Sequence, residues 1–589
     1  MRMWLSVRGR RIGGLGMRAG GFAIVVTLCI WAGGAFAEGA SAGAMSPVVS
    51  TLDMLDANAA PAPAGLQWRI LKPEWSASDE RAYGEFIRAI GLSDCRTVDA
   101  CLRSSANIYR ASDPAGTDFF ADCADLPYVL RAYFAWKNGL PFSFVSGVAA
   151  IGDSNDLRYS RYGNYVFQRT DILTPSEGHW PNARYVLANI SNLISSAMYR
   201  FAPKPREGDL FDFYPVKIAP GAIRPGTNIY DPNGHVAIVY DVDVEGRIRF
   251  IDSHPDNSLT RGSYGRRFVR ASPPMGAGFK NWRPLKLVGA GRASDGSYVG
   301  GHIVAASDGQ LPNWSDEQFY GTEQGASWQS GRFVYKGETL DYYDYVRRAV
   351  AGHDVVYDPL VETRGMVRGL CDDLHYRAMA VDTSVQAGLD SQPQPSHLPD
   401  NIYGTSGDWE TYSTPSRDAR LKVSFLELKD QIAKFLAMQR AGSKNIAYRG
   451  ANLARDLAAT YREEAGACTV VWTASNGTKR QMSFEDARKR LFDLSFDPYQ
   501  CPERRWGANN AELATCREDA VKRNWYEAER RLRNQTERTY DVRMGFSLGE
   551  LRAAVPGSGE DAPPDIDVLS MLDKAADEKA ASAMDTLRP

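Results

Sequence analysis

The chain has 589 residues, of which 44% are hydrophobic and 24% charged, and its formal net charge is −2. That length suits two to four globular domains at roughly 150 residues each, and the composition is ordinary for them. So small a net charge excludes a chain-wide field for nucleic acid or anionic lipid, and the sequence holds no polybasic run and no sustained coiled-coil heptad.

Arg2, Arg8, Arg10, Arg11 and Arg18 precede the apolar run AGGFAIVVTLCIWAGG, and AFA at 35–37 offers the small residues that a signal peptidase reads. Residues 1–37 are therefore expected to be a cleaved export signal. A retained anchor is the alternative, because about 19 apolar residues just span a bilayer. No other segment is apolar enough to cross one. Residues 38–65 are rich in Ala, Ser, Gly and Pro and read as a flexible leader. A first domain is expected over 66–288. It mixes helical periodicity at 79–90, 126–137 and 180–199 with short runs rich in β-branched and aromatic residues: FSFVSGV, DLFDFY, HVAIVYDV and RIRFID. DVDVEGRIRF alternates and turns at Glu245-Gly246, a hairpin signal. Helices followed by strands predict an α+β fold.

GAGRASDGSYVGG at 289–301 marks a boundary. From 301 to 555 helical patterns dominate, at 340–351, 361–387, 417–440 and in a charged set at 510–538. ACTVVWTASNGTKRQMSF interrupts them with an Asn-Gly hairpin. SQPQPSHLPDNIYGTSGDWETYSTPSRDAR is a long loop whose aromatics argue for order. Residues 556–589 read as a polar tail.

Export makes the cysteine count informative. Without Cys29, seven remain: Cys95, Cys101, Cys123, Cys371, Cys468, Cys501 and Cys516. Thiols pair in an oxidising compartment, and seven cannot all pair. Sequence neighbours suggest Cys95 with Cys101 and Cys501 with Cys516, with Cys371 and Cys468 as a long-range pair. That leaves Cys123 free.

Cys123 stands before PYVLRAYFAWKNG, a helical run that is apolar almost all round and so buried. Pro127 is tolerated only near a first turn, which places the helix start at about Cys123. Helix-start N–H groups favour a thiolate. Asp122 and Asp125 oppose one. A buried structural cysteine is the plain alternative. A cysteine nucleophile needs a base and a group to orient it. His235 opens the strand GHVAIVYDV, and Asp252 lies seventeen residues on, in RFIDSHPDNS. Two antiparallel strands joined at Gly246 set these two ends side by side. Cys123, His235 and Asp252 are thus the candidate catalytic set.

In that order and spacing the three resemble the papain-like fold in its shortened bacterial forms. CADLPYVLRAYFAWKNGLPFSFVSG is similar to the cysteine helix of transglutaminase-like domains, where an acid stands two residues after the cysteine. REGDLFDFY, GHVAIVYDVDVEGRIRF and NIYRASDPAGTDFFADC are similar to NlpC-type and CHAP amidases, with Tyr109 a loose match to an upstream tyrosine. The chain departs from that pattern in Asp-Cys-Ala-Asp, where Asp-Cys-Ser-Gly is expected, and in lacking the Gly-Gly after the tyrosine. The resemblance covers about 105–260. It implies a papain-like α+β domain, with the cysteine helix packed on an antiparallel sheet and a mainly helical domain following. It also implies acyl transfer through a thioester without a cofactor or metal, acting on a peptide, protein or peptidoglycan substrate outside the cytoplasm. A transglutaminase-like transferase and an inactive binding or scaffold module are the alternatives, and the helical domain is a candidate surface for a protein partner.

Three other features compete. His302 in GGHIVAA is a rival base without a paired acid. Asp252, His254 and Asp256 offer metal-ligand atoms, but no HExxH or CxxC accompanies them. GDWETYSTPSRDAR concentrates Trp409, Tyr412, Arg417 and Arg420, a set that fits a sugar or a carboxylate, or a loop packed by its own aromatics. No phosphate loop and no serine-hydrolase elbow is present.

Overall fold

Ser76 and Asp79 start the first long helix, α1 (Ala77–Leu92), by a reciprocal exchange: Asp79 N donates to Ser76 Oγ and Ser76 N donates to the Asp79 carboxylate. The computed structural model describes residues 48–51 and 65–585, apart from 324, 404–406, 413–414 and 539–541. The expected export signal at 1–37 lies outside the described residues. Helix α1 buries Tyr83, Phe86, Ile87 and Ile90 against α2 (Leu126–Asn138), whose residues are buried from Leu126 to Trp136. Pro127 sits in the first turn of α2, where a missing N–H costs nothing. Gly139 ends the helix at φ 62, the left-handed conformation that glycine adopts without strain. Arg131 is buried on α2 because Glu80 pairs with it at 3.0 Å and the Trp75 ring lies 3.4 Å from its guanidinium. Helix α3 (Ala183–Leu193) is followed by a 3-10 turn at Ser196–Tyr199, so the expected helix over 180–199 is split.

Two sheets complete this half. In the smaller one, β3 (Asn164–Ile172) lies between β1 (Val48–Thr51), which is parallel to it, and β2 (Phe142–Ala150), which is antiparallel. Part of the leader expected to be flexible is thus a paired strand. The larger sheet is antiparallel throughout. Its strands are β4 (Phe213–Pro215), β5 (Asn228–Asp231), β6 (His235–Val242), β7 (Ile248–Ser253), β8 (Leu259–Ser263) and β9 (Gly278–Trp282), in the order β4-β9-β5-β6-β7-β8. Side chains alternate across it. Val236, Ile238 and Ile251 face the core that contains α1 and α2. Ala237, Val239, Ile248 and Phe250 face a second core, which is completed by Tyr345, Val346 and Ala349 from helix α4 (Tyr342–Ala351).

The segment at 289–301, expected as a boundary, contains a small hairpin pairing Gly291–Arg292 with Tyr298–Val299. Beyond it the chain is mainly helical. Helices α5 (Pro359–Gln386), α6 (Pro415–Arg440) and α7 (Leu453–Gly466) enclose Leu370, Leu374, Phe425, Leu428 and Tyr461. The Asn-Gly hairpin pairs Thr469–Thr473 with Lys479–Ser483. The region expected as a tail holds a helix, Val568–Asp585, because Val568 and Leu572, four residues apart, bury into the same core. The protein is therefore mixed helix and sheet with a helical C-terminal region.

Disulfides join Cys95 to Cys101, Cys371 to Cys468 and Cys501 to Cys516, and Cys123 is the free cysteine among the described residues. Thiol titration of the chain beyond residue 37, unfolded but not reduced, is expected to count one thiol; two or more, or none, would break this pairing. Among the described residues no helix is long and apolar enough to cross a membrane.

Candidate functional site

Cys123 lies in the turn that leads into α2, and the helix itself begins three residues later, at Leu126. The reason is Asp122. Its carboxylate accepts from Ala124 N at 2.9 Å and Asp125 N at 3.3 Å, and its carbonyl accepts from Leu126 N at 3.1 Å. Asp125 closes the loop by accepting from Asp122 N at 2.5 Å. The N–H groups expected to favour a thiolate are therefore used by a carboxylate. Burial pushes the Cys123 thiol up, and Asp122, Asp125 and Asp252 push it further. It is a protonated thiol that donates to the Gly234 carbonyl at 3.8 Å.

The other two candidates meet. Gly234 adopts φ +84, and a Cβ there would lie 2.9 Å from the Tyr159 hydroxyl. Only glycine fits the tight return from β5 into β6, and that turn fixes where His235 begins its strand. The register Ile238↔Ile251 sets His235 diagonally across from Asp252 on one face. His235 Nε2 and Asp252 Oδ2 are 2.6 Å apart. Asp252 pairs with Thr260 in the β7–β8 ladder and accepts from the Thr260 hydroxyl. The same hydroxyl lies 3.2 Å from His254 Nε2. The rings of His235 and His254 lie nearly parallel, with centroids 6.0 Å apart.

Burial drives His235 below the usual histidine range, helped by the charge of Arg420 and opposed by Asp252. The ring is thus neutral at neutral pH, the form that accepts a proton. Burial alone would raise Asp252. The hydrogen bond and charge of His235, with His254 and Thr260, outweigh it and hold the carboxyl well below its usual range. His254 is pushed down to about 3, first by burial, against the pull of Asp252.

Strand alternation separates this pair from the thiol. His235 and Asp252 point with Ala237, Val239 and Phe250, whereas Cys123 packs against the core on the α1–α2 side. Among the described residues no hydrogen bond joins Cys123 to His235, and none is made by His235 Nδ1. The structure brings two of the three expected residues into contact and sets the third against the carbonyl of Gly234, the turn residue just before His235.

The pair opens onto a cavity of about 150 Å³ between the large sheet and helices α5 and α6. His235, Asp252 and His254 line one side, and Asp373, Arg377, Asp418 and Arg420 line the facing helices. Arg267 pairs with Asp373 at 3.0 Å, and Arg377 with Asp418 at 2.9 Å. Of the aromatic-rich loop, Trp409 lies in the short helix Gly407–Tyr412 and is buried against Phe496 and Tyr499, rings from outside the loop, so the segment is held by a distant core rather than packed by its own aromatics. Tyr412, Arg417 and Arg420 line the cavity. Sequence reasoning missed Thr260, Arg267, Asp373, Arg377 and Asp418. Only Thr260 carries a local signal, since it stands directly opposite Asp252 once the β7–β8 turn is placed.

Of the rival features, His302 falls elsewhere, whereas Asp252, His254 and Asp256 all line the same cavity. His302 is exposed on a two-stranded edge. The Tyr109 hydroxyl bonds Asn138 at the far end of α2 from Cys123. Asp256 is held by Ser258 within its own turn. Among the described residues the groups with metal-ligand spacing are Cys371, His375 and Cys468, and Cys501, Cys516 and Glu518. Each has its two cysteines locked in a disulfide. No protein-family model, no curated protein and no solved structure matches the chain.

Proposed function

We propose that the chain is an exported, cysteine-dependent amide hydrolase with a papain-like catalytic half. One observation supports it most: a 2.6 Å His235–Asp252 contact facing a cavity, with the free cysteine against the residue next to His235. A buried helix leading from the cysteine and packed on an antiparallel sheet that carries the other two residues supports the papain-like reading, and three disulfides support export.

In this reading the resting thiol is latched on Gly234. Substrate entry turns it towards the unbonded Nδ1 of His235, which takes the thiol proton while sulfur attacks the amide carbonyl. Asp252 fixes the ring through Nε2 and stabilises the imidazolium. His235 then gives the proton to the departing amine, leaving a thioester. It next deprotonates a water that attacks the thioester, and it returns the proton to sulfur as the acid leaves. The substrate class is a peptide amide, including peptidoglycan stem peptides, by analogy with the resembling domains. A partner protein for the helical region belongs to the same proposal.

A second reading has its own observation. The thiol is protonated, bonded to a carbonyl and flanked by two acids, as suits a domain that binds without catalysing. Alkylation separates the two. Iodoacetamide is expected to label Cys123 in the folded protein, and His235→Ala to slow that labelling by about 10²-fold or more. An inert Cys123, or equal labelling without His235, selects the binding reading.

A further inference from the structure

The cavity beside His235 holds a charge that the chain leaves unanswered. Arg267 and Arg377 each have a carboxylate at salt-bridge distance. Among the described residues no acceptor lies within hydrogen-bond reach of the Arg420 guanidinium. Its charged neighbours at longer range are Arg538 and Arg417, which repel it, and Asp252 and Asp231, which attract it. Neither acid is available: Asp252 serves His235 and Thr260, and Asp231 lies 3.7 Å from Arg538. Burial works against the Arg420 charge as well. The side chain is half-buried and lines the cavity, and a guanidinium drawn partly out of water with no anion beside it is a ready seat for one from outside.

The lining narrows the anion's class. It carries five arginines against four aspartates, and burial keeps His235 and His254 in their neutral forms. The excess is a single positive charge, which a carboxylate balances and a phosphate dianion exceeds. Guanidinium also matches a carboxylate in a two-pronged, planar contact. Phe250, Phe268, Met379 and Ala380 supply apolar surface beside it, as a peptide side chain requires. Arg420 and His235 line the same cavity, so an anion seated on Arg420 shares that space with the reacting end.

We propose that this cavity takes a peptide by a carboxylate seated on Arg420, next to the amide presented to His235. The proposal rests on reading His235 and Asp252 as the reacting end of the cavity. The carboxylate comes from a chain terminus or from an acidic side chain, and the probes distinguish the two.

The test is calorimetric titration of the full chain carrying Cys123→Ser with three peptides: acetyl-Ala-Ala-Ala acid, its C-terminal amide, and acetyl-Ala-Asp-Ala amide. One of the two carboxylate peptides is expected to bind at least about tenfold more tightly than the neutral amide, about 1.4 kcal/mol. Arg420→Gln is expected to remove that margin. A preference for the terminal acid assigns the chain end, and a preference for the aspartyl peptide assigns the side chain. If Arg420→Gln does not fold, Arg420→Lys replaces it, and the margin is expected to shrink. Three peptides that behave alike, including none that binds, overturn the proposal, as does a margin unchanged by either variant. Binding needs no thiol, so an acid preference in a protein whose Cys123 resists alkylation removes the catalytic reading and keeps this one. Alkylation without acid preference does the reverse.

Discussion

Asp252→Asn is expected to slow alkylation of Cys123 by about tenfold or more, up to the loss on His235→Ala, while leaving the fold in place. The carboxylate does two jobs that an amide cannot do together. One oxygen receives His235 Nε2–H and the other receives the Thr260 hydroxyl. An asparagine turned to serve the histidine presents its NH2 to Thr260, and turned the other way it presents a donor to a donor. In the second case the ring loses the hold that keeps Nδ1 open for the thiol proton, and in the first it keeps only a weaker bond to a neutral amide oxygen. The negative charge opposite a forming imidazolium is lost as well.

The pH profile adds a readout that a merely structural role would not move. The acid limb of wild-type alkylation follows His235, which must be unprotonated to act as base. Burial and Arg420 lower that ionisation from the usual 6.5 and Asp252 raises it, so the wild-type limb is expected below pH 6.5. Removing the Asp252 charge takes away the raising influence, so the limb of the variant moves further to acid as its plateau drops. Progress curves of alkylation from pH 4 to 8, with circular dichroism to monitor the fold, give both numbers. A variant as fast as wild type, or a wild-type limb at or above pH 6.5, would sink the assignment of His235 and Asp252.

The largest stability effect is expected at the cavity wall. Arg377 and Asp418 are both buried, joined through Nε at 2.9 Å and Nη2 at 2.9 Å. Arg377 also donates to the Ser495 carbonyl at 3.0 Å and lies over the Trp506 ring, 4.9 Å from its centroid. Burial works to raise Asp418, and the Arg377 guanidinium prevails and holds it below its usual range. Arg377→Ala strands that carboxylate in a dry site and is expected to cost about 3–5 kcal/mol. Arg377→Met with Asp418→Leu removes both charges and is expected to cost less than the single change. Urea unfolding followed by tryptophan fluorescence measures the two. A loss under about 1 kcal/mol for Arg377→Ala would mean that water screens the pair.

What the sequence reveals about this molecule is uneven for a physical reason. Period-two patterns are local, so GHVAIVYDV and RFID with a glycine turn between them are enough to set His235 beside Asp252. The same holds for the glycine that stops α2 and for the Asn-Gly hairpin at 469–483. Cysteine pairing was legible by counting, and Arg417 and Arg420 stood out by crowding near aromatics. The start of α2 was misplaced because the choice between a free helix end and an Asp122-capped turn depends on one carboxylate's rotamer, which no spacing encodes. The cavity wall was invisible because Asp373, Arg377 and Asp418 come from helices more than 100 residues away in sequence from the strands they face. Nothing in ordinary amphipathic helices marks the polar residues that turn inward.

The bond from Cys123 to Gly234 has a consequence for how the chain matures. Disulfide exchange proceeds through thiolates, and an unpaired cysteine among six that form bridges is a hazard while those bridges form, since it can capture any of the six. With the β5–β6 turn beside it, the half-buried Cys123 is protonated and bonded to the Gly234 carbonyl, which slows its part in exchange. The remaining cysteines then have only one another to choose from. The bond to Gly234 is in this sense a folding safeguard, and it lets one unpaired sulfur coexist with three bridges.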